Sequence, residues 1–547
     1  MLKTLDIKRP TLNLKRYLLN DTFGDALAAG AVNGTRPLIG DGSRTVVDTE
    51  SKLSIANGVA TFAGEKATPA FGDPALIYQQ YTRVAGLTLM ASANFSVATE
   101  VRIGWEPFAR KLYIQEGIRF LNGNVLHVLQ GDTGIAVGTF SLNTTYKIVS
   151  ILRSSGSFLF IKGGSFAKWT MLFLGVVSSN NLAPEIVNNN GVGVVDDFRI
   201  PSRLFIPAPL ASDGFTLANT TDGLGHAEAN GGAGLTWTDP GATWTVAGGV
   251  VSNTPSVGAE KLTNGNMETG NPPSNWIATI SLLTGVADER TGGSGAQALD
   301  VANTSSGAGI AFQNLSGTSV GQWYIMTGWM KIVRAFSAFF DNGAYDGIAT
   351  SGGSSWASFV KVHRIIAANP VIRLLVNTAT ILDNARFDDI TVKLLTTATL
   401  FRTLPFSTPD VYHRAKVVAL TAGTQAGIVI RLDSAATPTA GIIVYFDGAG
   451  NIKCEEFTGT TTYTAIFTAV VKAFTASDSL VIDVNGTAVR VYHETSAGVQ
   501  TLIGTGTTSV VAGNLHGLFS TYVGNTITDM NTYPIGTNGE WELLNSL

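Results

Sequence analysis

The sequence predicts an all-β protein made of multiple antiparallel β-sandwich (jelly-roll) domains, and three observations predict it. Charged residues are only 14% of the 547, and glycine occurs 61 times. Typical soluble proteins are about 25% charged, so this composition suits short strands and turns and does not suit charged amphipathic helices. Apolar residues alternate with a period of two along the whole chain, and no stretch of fifteen residues sustains a 3.6 period free of Gly and β-branched residues. Turn signals recur about every 8–12 residues, the spacing of sandwiches and barrels.

Individual hairpins are legible. Leu480-Val-Ile-Asp-Val484 and Thr487-Ala-Val-Arg-Val-Tyr492 flank Asn485-Gly486, a pair favoured in type I′ turns because both residues must take positive φ. Gly441–Phe446 and Asn451–Cys454 flank a longer Asp447–Gly450 turn, and Ile151–Arg153 and Phe158–Lys162 flank a third. Gln322–Met330 is apolar on both faces and is therefore expected to be a central strand.

Hydrophobic residues make up 45% and aromatics 9%, enough for sizeable cores. A net charge of −4 without a basic stripe gives no sign of a nucleic-acid partner. Cys454 is the single cysteine, so no internal disulfide and no cysteine-based metal site is expected. No secretory leader is read at the N-terminus, and no apolar run reaches the roughly 20 residues that span a bilayer, so membrane insertion is not expected.

Two places open alike. Asp21-Thr-Phe23 is followed by Gly58-Val59, and Asp213-Gly-Phe215 by Gly249-Val250; the spacings from Asp to Gly are 37 and 36 positions. The near-equal spacing reads as two copies of one domain. The expected organisation is an N-terminal docking arm at 1–19, a first sandwich at 20–200 closing at Asp196-Asp-Phe198, and a proline-rich linker at 201–210. A second sandwich, split between 211–259 and 396–547, is interrupted by an inserted jelly roll at 260–395; four domains in simple tandem is the alternative.

The Asp21-Thr-Phe23 … Asp196-Asp-Phe198 pair, and Asp213-Gly-Phe215 with Leu224-Gly225, Glu228 and Trp237, resemble concanavalin A/laminin-G-like jelly rolls, modules common in phage structural proteins. Asn264-Gly-Asn-Met-Glu268-x-Gly270 … Trp276, closed by Asp388-Asp389, resembles a galactose-binding-like jelly roll, the fold of many carbohydrate-binding modules. Asn266 and Met267 stand where such modules often carry Asp and Phe. The resemblance implies a virion structural protein of a tailed phage, either a capsid decoration or a tail fibre, assembled in the host cytoplasm and exposed on the particle. Its expected partners are other virion proteins and further copies of itself in a homo-oligomer. A carbohydrate-binding adhesin that receives a cell-surface glycan, and a polysaccharide depolymerase, are the rival readings. The arm, with Lys3, Lys8, Arg9, Lys15 and Arg16 among leucines and Pro10 at its centre, suits docking onto a neighbouring subunit.

Chemistry is sparse. Glycoside cleavage needs two carboxylates flanking one bond. Asp288-Glu289 and Glu455-Glu456 are adjacent in sequence, so on strands their side chains point to opposite faces, and both pairs read as solvated edge charges. The six histidines are scattered, and no Gly-x-Ser-x-Gly or phosphate loop is present. No enzyme and no required cofactor is expected. The galactose-binding-like resemblance implies one metal candidate, a structural calcium bridging first and last strands at Glu268 and Asp388 or Asp389; the competing reading is that these carboxylates accept backbone hydrogen bonds. For a sugar platform, Tyr345 and Trp356 stand in loop-like sequence. Trp323 and Trp329 share one face of the predicted central strand, which reads as core.

Overall fold

The structure, a computed structural model, describes residues 17–534 apart from a set of segments; the longest are 24–31, 33–44, 64–74, 174–180, 202–210 and 216–234. The docking-arm residues Lys3, Lys8, Arg9, Lys15 and Arg16 lie outside the described residues. Every strand pairing among the described residues is antiparallel, and the helical content is one 3-10 turn, Thr397–Leu400. No helix of the described residues is long and apolar enough to cross a membrane. The chain forms two compact units, one chiefly of residues 1–208 and the other chiefly of 209–534.

The first unit is a sandwich of two sheets. One sheet runs, in spatial order, Leu53–Ala56, Val59–Ala63, Val192–Pro201, Thr88–Val97, Tyr146–Leu152 and Ser157–Gly163, with Tyr17–Asp21 also paired to Val192–Pro201. The other runs Ala75–Ile77, Asn181–Asn189, Glu100–Pro107, Glu116–Leu121, Val125–Gln130 and Thr133–Thr139. Aromatic rings join the layers: Phe95 of the first lies 5.2 Å from Phe120 of the second, and the Trp105 indole N–H donates to Ser150 Oγ at 3.0 Å.

The second unit contains a sandwich with the same strand order. Its first sheet runs Trp244–Ala247, Val250–Asn253, Thr526–Pro534, Val411–Ala419, Asp478–Asn485 and Ala488–Glu494, with Ala211–Asp213 also on Thr526–Pro534. Its second runs Phe401–Pro405, Leu515–Ser520, Ala426–Leu432, Ala440–Phe446, Asn451–Thr458 and Thr462–Ala465. The core between them joins Phe215, Trp237 and Trp244 to Ile428, Val444, Cys454, Ile482 and Ile527.

Where the first sandwich passes from Val59–Ala63 to Ala75–Ile77, the second leaves at Asn253 and returns at Phe401. The intervening chain builds two sheets of its own. One is ordered Ser281–Ala287, Gln297–Asn303, Asn384–Leu395, Trp323–Ile332, Trp356–Arg364; the other is Ile277–Thr279, Gly309–Asn314, Val371–Val376, Phe336–Asp341, Tyr345–Thr350. Met267, Tyr324, Met326, Phe387 and Ile390 fill the core between them. Entry and exit strands, Val257–Glu260 and Asn384–Leu395, pair with each other, so both ends of this jelly roll emerge at one place.

Local chemistry repeats. Asp21 accepts the Phe23 N–H (3.0 Å) and the Tyr78 hydroxyl (2.8 Å); Asp213 accepts the Phe215 N–H (2.8 Å) and the Trp237 indole N–H (2.6 Å). Both phenylalanines sit at positive φ, 49° and 53°. The closing strand of each of the three sandwiches also carries a bulge at a left-handed aspartate: Asp197, Asp389 and Asp529, with φ of 55°, 48° and 47°. Aspartate tolerates this conformation better than most residues. In two cases the preceding Asp accepts its N–H, Asp196 at 2.6 Å and Asp388 at 2.7 Å.

Two sequence expectations shift in detail. The hairpin pairs Asn485 with Ala488, so its turn is Gly486-Thr487 with Gly486 at φ 57°. Glycine at the first central position belongs to a type II′ turn, not I′. Glu455 is buried rather than solvated, because Arg364 binds it at 2.7 and 2.8 Å and the Tyr445 hydroxyl donates at 2.8 Å. Those contacts hold its carboxyl below the usual range, although burial pushes the other way.

Candidate functional site

The strand Trp323–Ile332 is apolar on both faces because both are covered in part. Tyr324, Met326 and Met330 point into the jelly-roll core. On the other face Trp323 is 3% exposed and packs with Val362 and Leu395 against Phe401, Tyr445, Phe457 and Phe519 of the second sandwich. The Trp323 indole N–H donates to the Tyr463 hydroxyl at 3.2 Å, and Arg364 lies 4.1 Å from the Tyr463 ring centroid. Backbone bonds extend the seam: Val362 N–H to Gly423 O at 2.8 Å, and Gln425 Nε2 to Val362 O at 3.0 Å.

Further along the same face the cover ends and a cleft of about 600 Å³ opens. Thr327, Gly328 and Trp329, Ser358 to Val360, and Asp389 and Thr391 form its floor; Thr421, Ala422 and Tyr522 of the second sandwich form a wall. Trp329 is 38% exposed. Thr327 and Thr391, opposite each other on paired strands, share a hydroxyl hydrogen bond of 2.7 Å. The hydroxyls of Ser358, Thr421 and Tyr522 have no hydrogen-bond partner among the described residues. Such a cleft offers an aromatic face, several hydroxyls and one carboxylate.

Behind Trp329 lies a four-membered charge cluster. The Arg290 guanidinium donates to Asp388 (2.6 Å), Asp389 (2.9 Å) and Asp288 (3.2 Å), and lies 5.4 Å from the ring centroids of both Trp329 and Trp356. Burial tends to lower the Arg290 pKa, but its bonds to Asp389 and Asp288 outweigh this and hold it above the ordinary value. Asp388 is pushed up to about 7, first by burial and then by the charges of Asp389 and Asp288, against the opposing Asp389 N–H and Arg290. Three carboxylates around one cation leave excess negative charge, which a raised pKa relieves.

The residues singled out in the sequence are placed as follows. Asp388 and Asp389 come together, and the cation between them is Arg290. Glu268 is engaged elsewhere, accepting the backbone N–H groups of Ala296 (3.1 Å) and Gln297 (2.9 Å). Among the described residues no group of three or more His, Cys, Asp or Glu side chains is arranged to hold a metal ion. Tyr345 and Trp356 each begin a strand rather than sitting in a loop, and those strands belong to different sheets. The Tyr345 side chain lies outside the described residues; Trp356 is half-buried against Arg290. Trp329, read as core, lines the cleft. The polar Thr327 in the row Trp323, Ile325, Thr327, Trp329 is the sequence signal that this face becomes solvent-accessible. Thr421 and Tyr522 carry no such signal, because a distant segment brings them to the cleft.

No protein-family model matches the chain, and no curated protein matches it. Similar solved structures include the enzymatically active domain of tailspike protein 4 of bacteriophage CBA120 (15% identity, TM-score 0.22), matched over 25% of this chain and 21% of that one. The CBM22-1 xylan-binding domain of Paenibacillus barcinonensis Xyn10C is matched at 12% identity and TM-score 0.21, over 26% of this chain and 97% of that domain. The tail fibre protein gp63.1 of an E. coli phage is matched at 10% identity and TM-score 0.18, over 50% of this chain and 42% of that one.

Proposed function

We propose that this chain is a non-enzymatic structural protein of a tailed-phage particle that presents β-sandwiches outward and binds a glycan in the cleft beside Trp329. The cleft carries the reading. Pyranose rings present an apolar C–H face and a rim of hydroxyls, so they suit an exposed indole bordered by hydroxyls and a carboxylate. A volume of about 600 Å³ falls among small-molecule sites, about 300–1,000 Å³. Asp389 is the one carboxylate among the lining residues, and Asp388 is buried beneath it on Arg290. That arrangement supports binding rather than cleavage, which uses two carboxylates reaching one bond. The virion assignment rests on the jelly-roll resemblance, and on it the basic arm docks to other virion proteins or further copies of the chain.

The test is a glycan array probed with the purified chain, followed by calorimetry on any hit and assay of that hit for cleavage products. Binding that Trp329→Ala abolishes, with no products released, is the expected result. Released products would move the protein to the depolymerases, and binding untouched by Trp329→Ala would remove the cleft from the argument. Residues 17–19 belong to the strand Tyr17–Asp21 of the first sandwich, so solution mass of the full chain against one starting at residue 17 tests the arm: loss of a discrete oligomer is expected.

A further inference from the structure

The cleft has walls from two domains, and that difference in origin matters. Its floor belongs to the jelly roll of residues 260–395, whereas Thr421, Ala422 and Tyr522 belong to the sandwich into which that jelly roll is set. We infer, building on the glycan reading above, that Tyr522 and Thr421 are ligand-contacting, specificity-determining residues, and that the ligand is a neutral rather than an acidic sugar.

Three observations carry this. First, the seam that brings the wall to the floor is built in detail. The Val362–Gly423 and Gln425–Val362 hydrogen bonds lie beside the wall, the Arg364–Glu455 ion pair is bidentate, and Trp323 is wedged under both. The wall therefore holds a set position over the floor. Second, the wall presents hydroxyls with nothing to bind. Thr421 uses its backbone N–H on Asn525 and Tyr522 its backbone carbonyl on Ser520 and Asn525, while both side-chain hydroxyls remain without partners among the described residues. With Ser358 on the floor, three residues whose hydroxyls have no partner among the described residues line one space beside an exposed indole. Third, the charge is one-sided. Asp389 is the single charged residue among those lining the cleft. The neighbouring cation, Arg290, is already shared among three carboxylates. A neutral sugar donates hydroxyl hydrogens to Asp389. A uronic or sialic acid would bring a second carboxylate to it, with the repulsion of like charges.

The experiment uses the full chain and a glycan array carrying neutral hexose and pentose oligosaccharides beside their uronic-acid and sialylated counterparts. Wild type, Trp329→Ala, Tyr522→Ala, Tyr522→Phe and Asp389→Asn are compared, each checked for an unchanged melting temperature. Wild type is expected to bind neutral glycans only. Tyr522→Ala is expected to weaken that binding about tenfold or more, as an aromatic contact residue does. Tyr522→Phe keeps the ring and loses only the hydroxyl, so an intermediate loss is expected, and its near-native packing keeps the test valid if the alanine variant misfolds. Asp389→Asn is expected to admit acidic glycans. If both Tyr522 variants bind like wild type while Trp329→Ala does not, the site belongs to the jelly roll alone and the inference is overturned, with the glycan reading intact. Preferential binding of acidic glycans by wild type overturns the charge argument. If no glycan binds wild type at all, the glycan reading itself fails and this inference with it.

Discussion

The two Asp-x-Phe sandwiches follow one strand order, open on one motif and close on one kind of bulge, yet the second carries a whole jelly roll where the first passes directly from Val59–Ala63 to Ala75–Ile77. The comparison teaches why that connection accepts so much chain. Val257–Glu260 and Asn384–Leu395 run antiparallel and paired, so the inserted module presents both ends side by side and replaces a short connection without parting the strands it joins. The consequence lies on the outer face of the Trp323–Ile332 sheet. The Trp323 end of that face is buried against the host, and the cleft opens at the edge of that contact.

The opening carboxylates differ as well, and substitution at both sharpens the comparison most. Asp21 accepts the Phe23 N–H and the Tyr78 hydroxyl; Asp213, together with Asp239, faces the buried Arg402, which lies 4.9 Å from the Trp237 ring centroid and whose pKa burial lowers to about 10. Asp213→Ala removes one of the two carboxylates facing the buried Arg402, along with the acceptor of the Trp237 indole N–H, and is expected to cost about 3 kcal/mol. Asp21→Ala removes the acceptor of the Phe23 N–H and the Tyr78 hydroxyl and is expected to cost about 1–3 kcal/mol. Urea unfolding followed by tryptophan fluorescence measures both; equal losses would show the two latches to be energetically alike.

Trp323 and Trp329 make a second pair on one strand. Trp323→Ala empties the seam and is expected to cost about 3–5 kcal/mol. Trp329→Ala, at 38% exposure, is expected to cost under about 1 kcal/mol while abolishing ligand binding. The same unfolding curves separate them, and a large stability loss at Trp329 would return that residue to a core role.

Acid acts on the inserted module and its host in opposite directions. Asp388 has a folded pKa of about 7 against an ordinary 3.8, so its contribution to stability is present at low pH and is lost as pH rises through about 7. Burial lowers His413 to about 3 and His516 to about 4 from an ordinary 6.5. Their contribution is present above about 6.5 and is lost as pH falls toward 4 and 3. These windows overlap between about pH 4 and 6.5, so the Asp388 contribution is read as a difference: Asp388→Asn is expected to gain melting temperature relative to the unmodified chain as pH rises from about 4 to 7. A difference that stays constant across that range would assign the effect to another group.

The smallest effect concerns calcium. Of the three residues of the calcium candidate, Asp388 and Asp389 bind Arg290 and Glu268 accepts backbone N–H groups. Millimolar calcium or chelator is therefore expected to move the melting temperature by less than about 1 °C, since a ligand stabilises only in proportion to its binding. A shift of several degrees would place a metal ion on these carboxylates.

Much of the local structure is written in the chain. Alternating apolar residues and Gly-containing turns specify antiparallel strands, because side chains on a strand alternate faces and tight hairpins need positive φ. The Asp-x-Phe openings and the Asp-Asp bulges are equally local: a carboxylate one or two residues away accepts the N–H of a left-handed residue. What only the tertiary structure decided is which apolar face meets which partner. Trp323 and Trp329 have the same strand parity, and nothing in their alternation distinguishes the tryptophan that Phe401 and Phe519 cover from the one left open. The same holds for Arg290, brought to Asp388 and Asp389 from a loop about 100 residues earlier in the chain, and for Tyr522, carried to the cleft by the host sandwich. Periodicity reports that a face is buried or polar on average; long-range packing determines the neighbour, and at this cleft the neighbour supplies one wall.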